Sequence, residues 1–467
     1  DAAAQTLAGM EDAGLGPYVA VGTNSLSLRI AIVGGGWAGM AAAVQLQSRK
    51  HHVQVWEASR TWGGRARALE LQGPQGQQWT VDNGQHILIG AYQACLQLMQ
   101  TVGVRPASSM LRLPLDLRYA DGTGLQLPDL PPPWDAVLGI ARAKGWSWRE
   151  KLALLRMAHT WQQRQFCCAS TDTVADICQG LPARLMREFV DPLCISALNL
   201  PADQASGAIF LRVLQDGLFS GQGGSNLLIP CTDLSTLFPA SAAQWLNRQG
   251  AQLHLGVRID DIVLQEDTAT WHIQGQQFDA VLLATSSAQA ARLVQTVQLP
   301  IPWQKHAKQW ADTASALPHT AIATVYAYSP EIPGRRALLP APMVALRSHS
   351  HAPAQFAFDK AQLGGPPGVI ALVVSASHGD RALLESQVIA QARSELKLPD
   401  LQPLKTVIDK RATFACTPQV QRPDTQIGPG LWACGDYVEG PYPATLEGAV
   451  RSGNAAADAV QQHFQQL

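Results

Sequence analysis

The chain has 467 residues, 46% of them hydrophobic, and its 35 Lys and Arg residues are balanced by 36 Asp and Glu residues. This length predicts two or three lobes around a large core. The near-zero net charge argues against nucleic acid as a partner, because phosphate binding needs a basic excess. No uninterrupted apolar run reaches the roughly 18 residues of a transmembrane helix.

The start of the chain is small, polar and Gly-rich, and it lacks a basic segment before an apolar run. We expect residues 1–27 to form a flexible leader and not a secretory signal. The 8 cysteines include no C-x-x-C pair, so the sequence predicts no metal site. Reduced, mostly buried thiols are typical of a cytoplasmic protein.

Residues 28–57 have the pattern of one βαβ unit. The apolar run LRIAIV is typical of a strand buried on both faces, and it leads into a turn where Gly34, Gly36 and Gly39 fit G-x-G-x-x-G. A helix-forming run follows, and the next strand ends at Glu57, where an acid can accept hydrogen bonds from ribose hydroxyls. Because the helix N-terminus offers free N–H groups to phosphates, this unit predicts dinucleotide binding.

A second glycine pair, Gly63 and Gly64, comes soon after the acidic strand end. Paired glycines allow a loop to pass close to a ligand, and Arg65 can then lie near a pyrophosphate. This extra element favours FAD over NAD as the bound dinucleotide.

The stretch 127–166 combines Lys and Arg residues with tryptophans and aliphatic residues. This composition is typical of a helical surface that rests at a lipid headgroup boundary. An ordinary solvated helical lobe remains an open alternative.

Later segments predict further strands and one covering helix. The stretches 251–267 and 271–287 read as alternating strands that end in a buried one, and 319–329 and 368–377 read as strands of a second sheet. Residues 386–398 have the composition of a helix that covers that sheet.

Near the C-terminus, an apolar strand ends at Gly435 and Asp436, and a turn with glycine and prolines leads into an Ala-rich helix. Asp436 is suited to hydrogen-bond a ribityl hydroxyl. The helix N-terminus near Thr445 and Leu446 can stabilise negative charge on a flavin ring. Such a distant second element also favours FAD.

Three motifs together resemble the amine oxidase and carotenoid desaturase flavoproteins: VGGGWAGMAAAVQL…VWEASRTWGGRA, VDNGQHILIGAY and GPYPATLEGAVRSG. Within that superfamily they look like the squalene-associated FAD-dependent desaturases, or hydroxysqualene dehydroxylases, of bacterial hopanoid biosynthesis. Cys434 departs from the small apolar residue usual before Gly435, which leaves open a thiol near the flavin.

The resemblance implies an α/β fold, with a Rossmann-like FAD-binding domain of the amine oxidase/phytoene desaturase type, an inserted α+β substrate domain and a helical lobe. The FAD-binding domain would then be discontinuous, formed by 28–100, 225–300 and 405–467. Residues 101–224 and 301–404 would form the substrate-binding domain, whose helical lobe we expect to face a membrane.

The resemblance also implies site residues. Ile259 would give backbone hydrogen bonds to adenine. The loop DNGQH would lie beside the flavin ring, with His86 and Asp82 as candidate proton donors, although a packing role for His86 and a turn or capping role for Asp82 remain open. The full cofactor-contacting set would be Gly34, Gly36, Trp37, Ala38, Gly39, Glu57, Ala58, Gly64, Arg65, Gly84, Ile259, Gly435, Asp436, Ala444, Thr445 and Leu446.

The activity implied is the conversion of hydroxysqualene to squalene: the hydroxyl leaves as water, and reduced flavin delivers hydride from N5 to the allylic cation. Such an enzyme needs an apolar channel, a proton donor and an external electron donor of unknown identity. Because a long apolar isoprenoid is insoluble in water, we expect a cytoplasmic enzyme held peripherally on the inner face of the bacterial cytoplasmic membrane.

Two other enzyme classes share the motifs. A carotenoid-type desaturase would remove hydride from a polyene, and a flavin amine oxidase would frame the flavin with an aromatic pair, for which Tyr437 and Tyr442 are candidates. A flavin-binding scaffold without turnover is a third alternative. It would have no enclosed cavity at the flavin.

Overall fold

A computed structural model describes residues 27–219, 221–330 and 337–466. The predicted flexible leader, residues 1–27, lies outside the described residues except for Ser27. The hydroxyl of Ser27 donates a hydrogen bond to the carbonyl oxygen of Lys50 at 2.9 Å.

The strands of the described residues follow in chain order: β1 (Arg29–Val33), β2 (His52–Glu57), β3 (Ala68–Gln72), β4 (Gln78–Asp82), β5 (Leu88–Ile89), β6 (Met110–Leu113), β7 (Asp116–Arg118), β8 (Gly124–Gln126), β9 (Leu227–Pro230), β10 (Gln252–Leu255), β11 (Val263–Gln265), β12 (Thr270–Ile273), β13 (Gln276–Phe278), β14 (Ala280–Leu283), β15 (His319–Tyr328), β16 (Met343–Ala345), β17 (Phe356–Asp359), β18 (Val369–Ser377), β19 (Gln402–Phe414), β20 (Gln426–Gly428) and β21 (Leu431–Ala433).

The α-helices of the same residues are α1 (Trp37–Ser48), α2 (Gln93–Thr101), α3 (Pro106–Ser109), α4 (Trp134–Arg142), α5 (Trp148–Gln163), α6 (Val174–Ile177), α7 (Ala183–Leu185), α8 (Asp191–Leu198), α9 (Gly207–Leu218), α10 (Leu234–Leu237), α11 (Pro239–Arg248), α12 (Ser287–Thr296), α13 (Ile301–Ala316), α14 (Arg381–Glu395) and α15 (Leu446–Gln465). A π-helical turn, Met186–Val190, precedes α8, and a 3₁₀ turn, Lys360–Leu363, follows β17.

A six-stranded sheet of order β10-β2-β1-β14-β21-β20 forms one half of the molecule, and its strands are parallel except for β20. Parallel sheets are covered on both faces, which explains the apolar runs read in the sequence. Ile30 and Ile32 on β1 pack with α1, α11 and α15, whereas Ala31 and Val33 join the core that contains the small sheet β11-β12-β13. We call this assembly the parallel-sheet half.

Helix α15 packs directly against α1. A Cβ atom on Gly453 would lie 2.3 Å from the carbonyl oxygen of Ala38, so only glycine permits this approach. Ala41 and Ala42, which are fully buried, keep the facing side of α1 thin. This close contact brings the C-terminal end of the chain to the glycine turn that follows β1.

A second, five-stranded antiparallel sheet has the order β16-β17-β18-β15-β19. Its outer face packs on α14, through residues such as Val325, Leu372 and Val388. Its inner face, which includes Phe356 and Val373, joins the larger core shared with the helices α5–α9. Because side chains alternate along strands, consecutive residues of β15 face these two environments in turn.

Two elements cross the predicted domain boundaries. Strand β19 lies within 405–467 for most of its length, yet it pairs with β15 in the antiparallel sheet and not with the parallel one. Helix α13 lies within 301–404, but it packs on α12 and β20 of the parallel-sheet half. Strand pairing and helix packing decide which half of the molecule an element belongs to. Neither produces a change of composition in the sequence of β19 or α13.

Candidate active site

The turn after β1 is shaped by three glycines. Gly34 has φ +116°, and a Cβ atom there would lie 2.4 Å from the carbonyl oxygen of Ala284. A Cβ atom on Gly39 would lie 2.0 Å from the carbonyl oxygen of Gly34, so Gly39 lets α1 approach the turn. At Gly36, the residue that caps α1, the nearest atom to such a Cβ is 3.9 Å away, on Gly64. Gly36 therefore borders open space, whereas Gly34 and Gly39 are needed for packing.

A second glycine loop stands opposite the first. Gly63 and Gly64 have positive φ values of +115° and +59°, and the Gly63 N–H donates to the carbonyl oxygen of Gly35 at 2.9 Å. The backbones of Gly36 and Gly64 thus face each other across the N-terminus of α1 without side chains between them. This cradle has the shape and the free helix N–H groups that a pyrophosphate requires.

Glu57 lies at the carboxyl end of β2 and lines the same cavity. Its carboxylate accepts hydrogen bonds from the N–H groups of Gly35, at 2.7 Å, and Ser59, at 2.8 Å. These bonds fix the carboxylate, whose oxygens keep further lone pairs for ribose hydroxyls. Ala58 and the buried Ile259 line the cavity beside it.

Arg65 and Asp436 form an ion pair across the cavity wall. One arginine nitrogen bonds to Asp436, and the other donates to the carbonyl oxygen of Ala412 at 2.6 Å. The negative charge of Asp436 raises the pKa of Arg65, while burial opposes this shift. The sequence predicts that the two residues contact different parts of the cofactor, whereas in the structure they contact each other.

The N-terminus of α15 also opens on the cavity, which Ala444, Thr445 and Leu446 line. The Thr445 hydroxyl caps the helix by accepting a hydrogen bond from the Gly448 N–H at 2.9 Å. The aligned peptide dipoles of this 20-residue helix leave partial positive charge at the cavity. That position suits negative charge on a flavin ring.

His86 lines the cavity, and its Nδ1 atom lies 2.8 Å from the carbonyl oxygen of Gly84. Since a carbonyl oxygen only accepts, Nδ1 carries a proton and Nε2 has the free lone pair of the neutral ring. Burial lowers the pKa of His86, so the ring is neutral at pH 7. Its imidazolium form, once made, is a stronger acid than an ordinary histidine.

Asp82, the other expected catalytic residue, does not line the cavity. Its carboxylate accepts a hydrogen bond of 2.7 Å from the N–H of Leu234 at the start of α10. Burial raises the pKa of Asp82 to about 6, and the nearby Lys360 opposes this shift. We therefore assign Asp82 a structural role, because the turn at Gly84 directs His86 into the cavity and leaves Asp82 behind it.

The sequence predicts an apolar channel, but it does not identify the residues that line it. The cavity has a volume of about 690 Å³ and continues from the cofactor loops into a space between two helices and the antiparallel sheet. Its apolar lining comes from α8, α9 and the sheet: Leu193, Ile195, Val213, Leu214, Leu218, Ile322, Met343, Phe356, Phe358 and Val373. One signal in the sequence could have indicated this lining. Helix α9 has apolar residues, such as Val213, outside the face that packs into the core.

The structure also places the predicted aromatic pair and the thiol before Gly435. Tyr437 and Tyr442 do not line the cavity, so within the described residues they do not form an aromatic pair above the cofactor loops. Tyr92, which the sequence analysis missed, does line it, 5.7 Å from the ring of Tyr442. Burial raises the pKa of Cys434 to about 12 and keeps the thiol protonated, away from the cavity lining.

The chain is similar in sequence and in fold to known oxidoreductases. The model of a family described as flavin-containing amine oxidoreductases matches residues 37–461. Hydroxysqualene dehydroxylase from Zymomonas mobilis is 23% identical over 92% of this chain and 99% of its own, and that from Rhodopseudomonas palustris is 26% identical over 93% and 99%. Cyclohexylamine oxidase from Brevibacterium oxydans shares the fold, with a TM-score of 0.66 at 15% identity over 94% of this chain and all of that one.

Substitution of Gly36 and of Gly39 tests their different roles, in cofactor binding and in packing. We expect Gly36→Ala to leave the melting temperature of the cofactor-free protein nearly unchanged, because the new methyl group meets no atom closer than 3.9 Å. The methyl group occupies the cradle, so FAD affinity should fall by about tenfold or more. Thermal unfolding and FAD titration measure the two effects.

Gly39→Ala is the matched control. Its methyl group would clash with backbone at 2.0 Å, so this variant should lose thermal stability before any cofactor is added. Wild-type FAD affinity in Gly36→Ala would show that the cradle does not hold the pyrophosphate.

Proposed function

This chain belongs to the flavin-containing amine oxidoreductase family and is an FAD-dependent oxidoreductase, and we propose that it converts hydroxysqualene to squalene as a step of hopanoid biosynthesis. The observation that carries this proposal is the cavity, in which the cofactor loops open directly into an apolar space. Two relatives that share nearly the full length of the chain are named for this activity, which supports the same choice.

The chemistry of the apolar space supports a long hydrocarbon substrate. Apart from Asp409 near Arg65, the side chains that reach it from α8, α9 and the antiparallel sheet are uncharged. An ammonium substrate would need a carboxylate or an aromatic cage in this space. The carboxylate of Asp409 already interacts with Arg65, and Tyr437 and Tyr442 are absent from the lining; together these two observations disfavour the amine oxidase alternative.

The protein's own groups have three tasks in this reaction. The apolar walls orient the substrate and exclude water from the allylic cation that forms when the C–O bond breaks. His86 in its imidazolium form gives the proton that turns the departing hydroxyl into water. Bound FAD, in its reduced form, supplies the hydride that replaces the hydroxyl. Since each turnover consumes two electrons, an external donor is needed to restore the reduced state.

An anaerobic assay tests the proposed function. Protein loaded with chemically reduced FAD should convert hydroxysqualene to squalene, close to one equivalent per bound flavin, because the cycle cannot continue without a donor. Product analysis measures the squalene formed, and the return of the oxidised-flavin absorbance measures the FAD that has reacted. Oxidised FAD is the control and should give no squalene.

The carotenoid-type desaturase alternative predicts the reverse electron flow in the same experiment. Protein with oxidised FAD would then introduce a double bond into a polyene and reduce its flavin, and hydroxysqualene with reduced FAD would remain unchanged. That outcome would replace dehydroxylation by desaturation as the function.

The state of His86 predicts the pH dependence. Because burial lowers its pKa below 6.5, the imidazolium form is lost as pH rises through that lowered value. We therefore expect single-turnover dehydroxylation to be fastest at acid pH and to fall as pH rises toward 7. His86→Gln should remove this dependence and slow the reaction by about 10²–10⁴-fold.

The effect of neighbouring charged groups on the pH dependence must be distinguished from that of His86. Asp409 on β19 favours the charged ring and Arg65 opposes it, and Asp82, whose pKa burial raises to about 6, also titrates at mildly acid pH. Asp82→Asn keeps an oxygen for the Leu234 N–H and serves as the control. If Asp82→Asn abolishes the pH dependence and His86→Gln retains it, His86 is not the proton donor.

We further propose that α4 and α5 contact a membrane surface. Trp134 and Val137 on α4 are 66% and 38% exposed, and Trp148 and Leu152 on α5 are 75% and 46% exposed. Each pair has i,i+3 or i,i+4 spacing and so shares one helix face. The other exposed large hydrophobic residues of the described chain lie on other elements: Leu255, Val263, Ile301 and Leu383.

The charges around this surface favour an anionic lipid bilayer as its partner. Arg142, Lys144, Arg149 and Arg156 are exposed on or between the same two helices. Tryptophans beside basic residues are the composition that settles at a headgroup boundary. Among the described residues, no helix has the length and hydropathy to span a bilayer. We propose that the contact is peripheral and lies on the cytoplasmic face of the membrane.

The surface lies one layer away from the cavity. Helix α4 packs on β8, whose partner strand β7 carries Leu117 into the cavity lining. A substrate dissolved in the bilayer would thus meet the protein close to the apolar end of the cavity.

Vesicle binding tests this surface. The double variant Trp134→Ser/Trp148→Ser should bind phosphatidylcholine–phosphatidylglycerol vesicles about tenfold or more weakly than wild type in a sedimentation assay. Ile301→Ser/Leu383→Ser removes equally exposed side chains elsewhere and should bind as wild type. Equal binding by all three proteins would contradict the proposal.

A further inference from the structure

The hydroxyl of Thr324 is buried without a hydrogen-bond partner. Thr324 lies on β15 within the antiparallel sheet, is 1% exposed and lines the cavity. Its Oγ1 atom makes no hydrogen bond in the structure. Buried hydroxyls are nearly always paired, so an unpaired one on a cavity wall indicates a ligand group that completes it.

The sheet itself does not explain a threonine at this position. Its cross-strand neighbours are Val373 on β18 and Val407 on β19, and Ile322 lines the cavity two residues before it. A valine would have the same shape and would avoid burying an unpaired oxygen. The hydroxyl is thus a polar group whose nearest neighbours along and across the sheet are aliphatic.

The hydroxyl and the imidazole of His86 border the same gap, at Gly84. A Cβ atom on Gly84 would be 3.8 Å from Oγ1 of Thr324 and 3.8 Å from Cε1 of His86, with no other atom within 4 Å. The glycine therefore leaves a gap that the hydroxyl and the imidazole flank. Because Nδ1 of His86 is held by the Gly84 carbonyl oxygen, Nε2 is the atom left for a ligand.

We propose that Thr324 and His86 together form a polar subsite that receives the hydroxyl oxygen of a long-chain alcohol. This inference rests on the proposed function and names the residue that holds the reacting group. The Thr324 hydroxyl donates a hydrogen bond to the alcohol oxygen. When the C–O bond breaks, the electron pair goes to that oxygen and His86 gives it a proton to form water; reduced FAD, when bound, would supply the hydride for the new C–H bond.

The isosteric variant Thr324→Val tests the subsite without requiring turnover. Oxidised holoenzyme in detergent is titrated with hexadecanol and with hexadecane, and the change in flavin absorbance reports occupancy of the cavity. Thr324→Val should weaken hexadecanol binding by about tenfold and leave hexadecane binding unchanged. Thr324→Ser, which retains the hydroxyl, should restore the preference for the alcohol.

Thermal unfolding supplies a second readout. Since Thr324→Val removes an unpaired buried hydroxyl, its melting temperature in the absence of ligand should equal or exceed that of wild type. With hydroxysqualene, its single-turnover rate should fall by at least about tenfold, while Thr324→Ser stays within about threefold of wild type. If Thr324→Val folds poorly, Thr324→Ala provides the same comparison.

Equal hexadecanol affinity in wild type and Thr324→Val would overturn the subsite, as would an equal loss for hexadecanol and hexadecane. Failure of the proposed function has a different signature: wild type would not form squalene, yet Thr324→Val would still lose its preference for the alcohol. The subsite would then serve an alcohol substrate of another structure.

Discussion

The ion pair between Arg65 and Asp436 is the contact on which the site depends. It joins the loop after β2 to the loop after β21, two segments separated by most of the chain. The loop that carries Asp436 leads into α15, which docks on α1 where Gly453 allows the two helices to touch. Ser452 of α15 also accepts a hydrogen bond from the Gly435 N–H at 3.0 Å, which places Asp436. Helix packing thus creates a cofactor cleft from both ends of the sequence.

The same cleft separates two dielectric environments. Charged and glycine-rich loops surround the cofactor end, whereas the inner face of the antiparallel sheet and two helices provide an apolar continuation. His86 lies where the two meet, and burial there lowers its pKa. A neutral imidazole that becomes a strong acid when protonated is suited to a leaving hydroxyl and poorly suited to binding a permanent cation. The electrostatics therefore agree with a neutral, hydrocarbon-like substrate.

The proposed subsite lies at the His86 end of the apolar space, and the proposed membrane surface lies near its other, apolar end. Thr324 would hold the one polar group of the substrate beside His86. The exposed tryptophans of α4 and α5 would place the apolar end of the cavity near the lipid from which the substrate comes. The first feature is an unpaired buried hydroxyl, and the second is a group of exposed apolar side chains. Each is energetically unfavourable until a substrate or a membrane covers it.

The sequence by itself determined the family, the βαβ unit and FAD as the cofactor, and it pointed to several residues that line the cavity. This was possible because dinucleotide binding depends on short-range geometry: glycines at fixed spacing, an acid at the next strand end and a helix N-terminus are local patterns. Glu57, Arg65, Asp436 and Thr445 could be named because each follows an element that the pattern itself predicts.

Only the tertiary structure decided how the rest of the site is built. The pairing of β19 with β15, the buried contact of Asp82 with Leu234, the apolar lining from α8 and α9, and the gap at Gly84 that Thr324 and His86 both border all join residues far apart in sequence. A threonine in an apolar strand or an aspartate before a turn has the same local pattern whether its side chain is paired, capping or facing a cavity. The distinction depends on which neighbours the packed chain brings to it, and local composition carries no record of those neighbours.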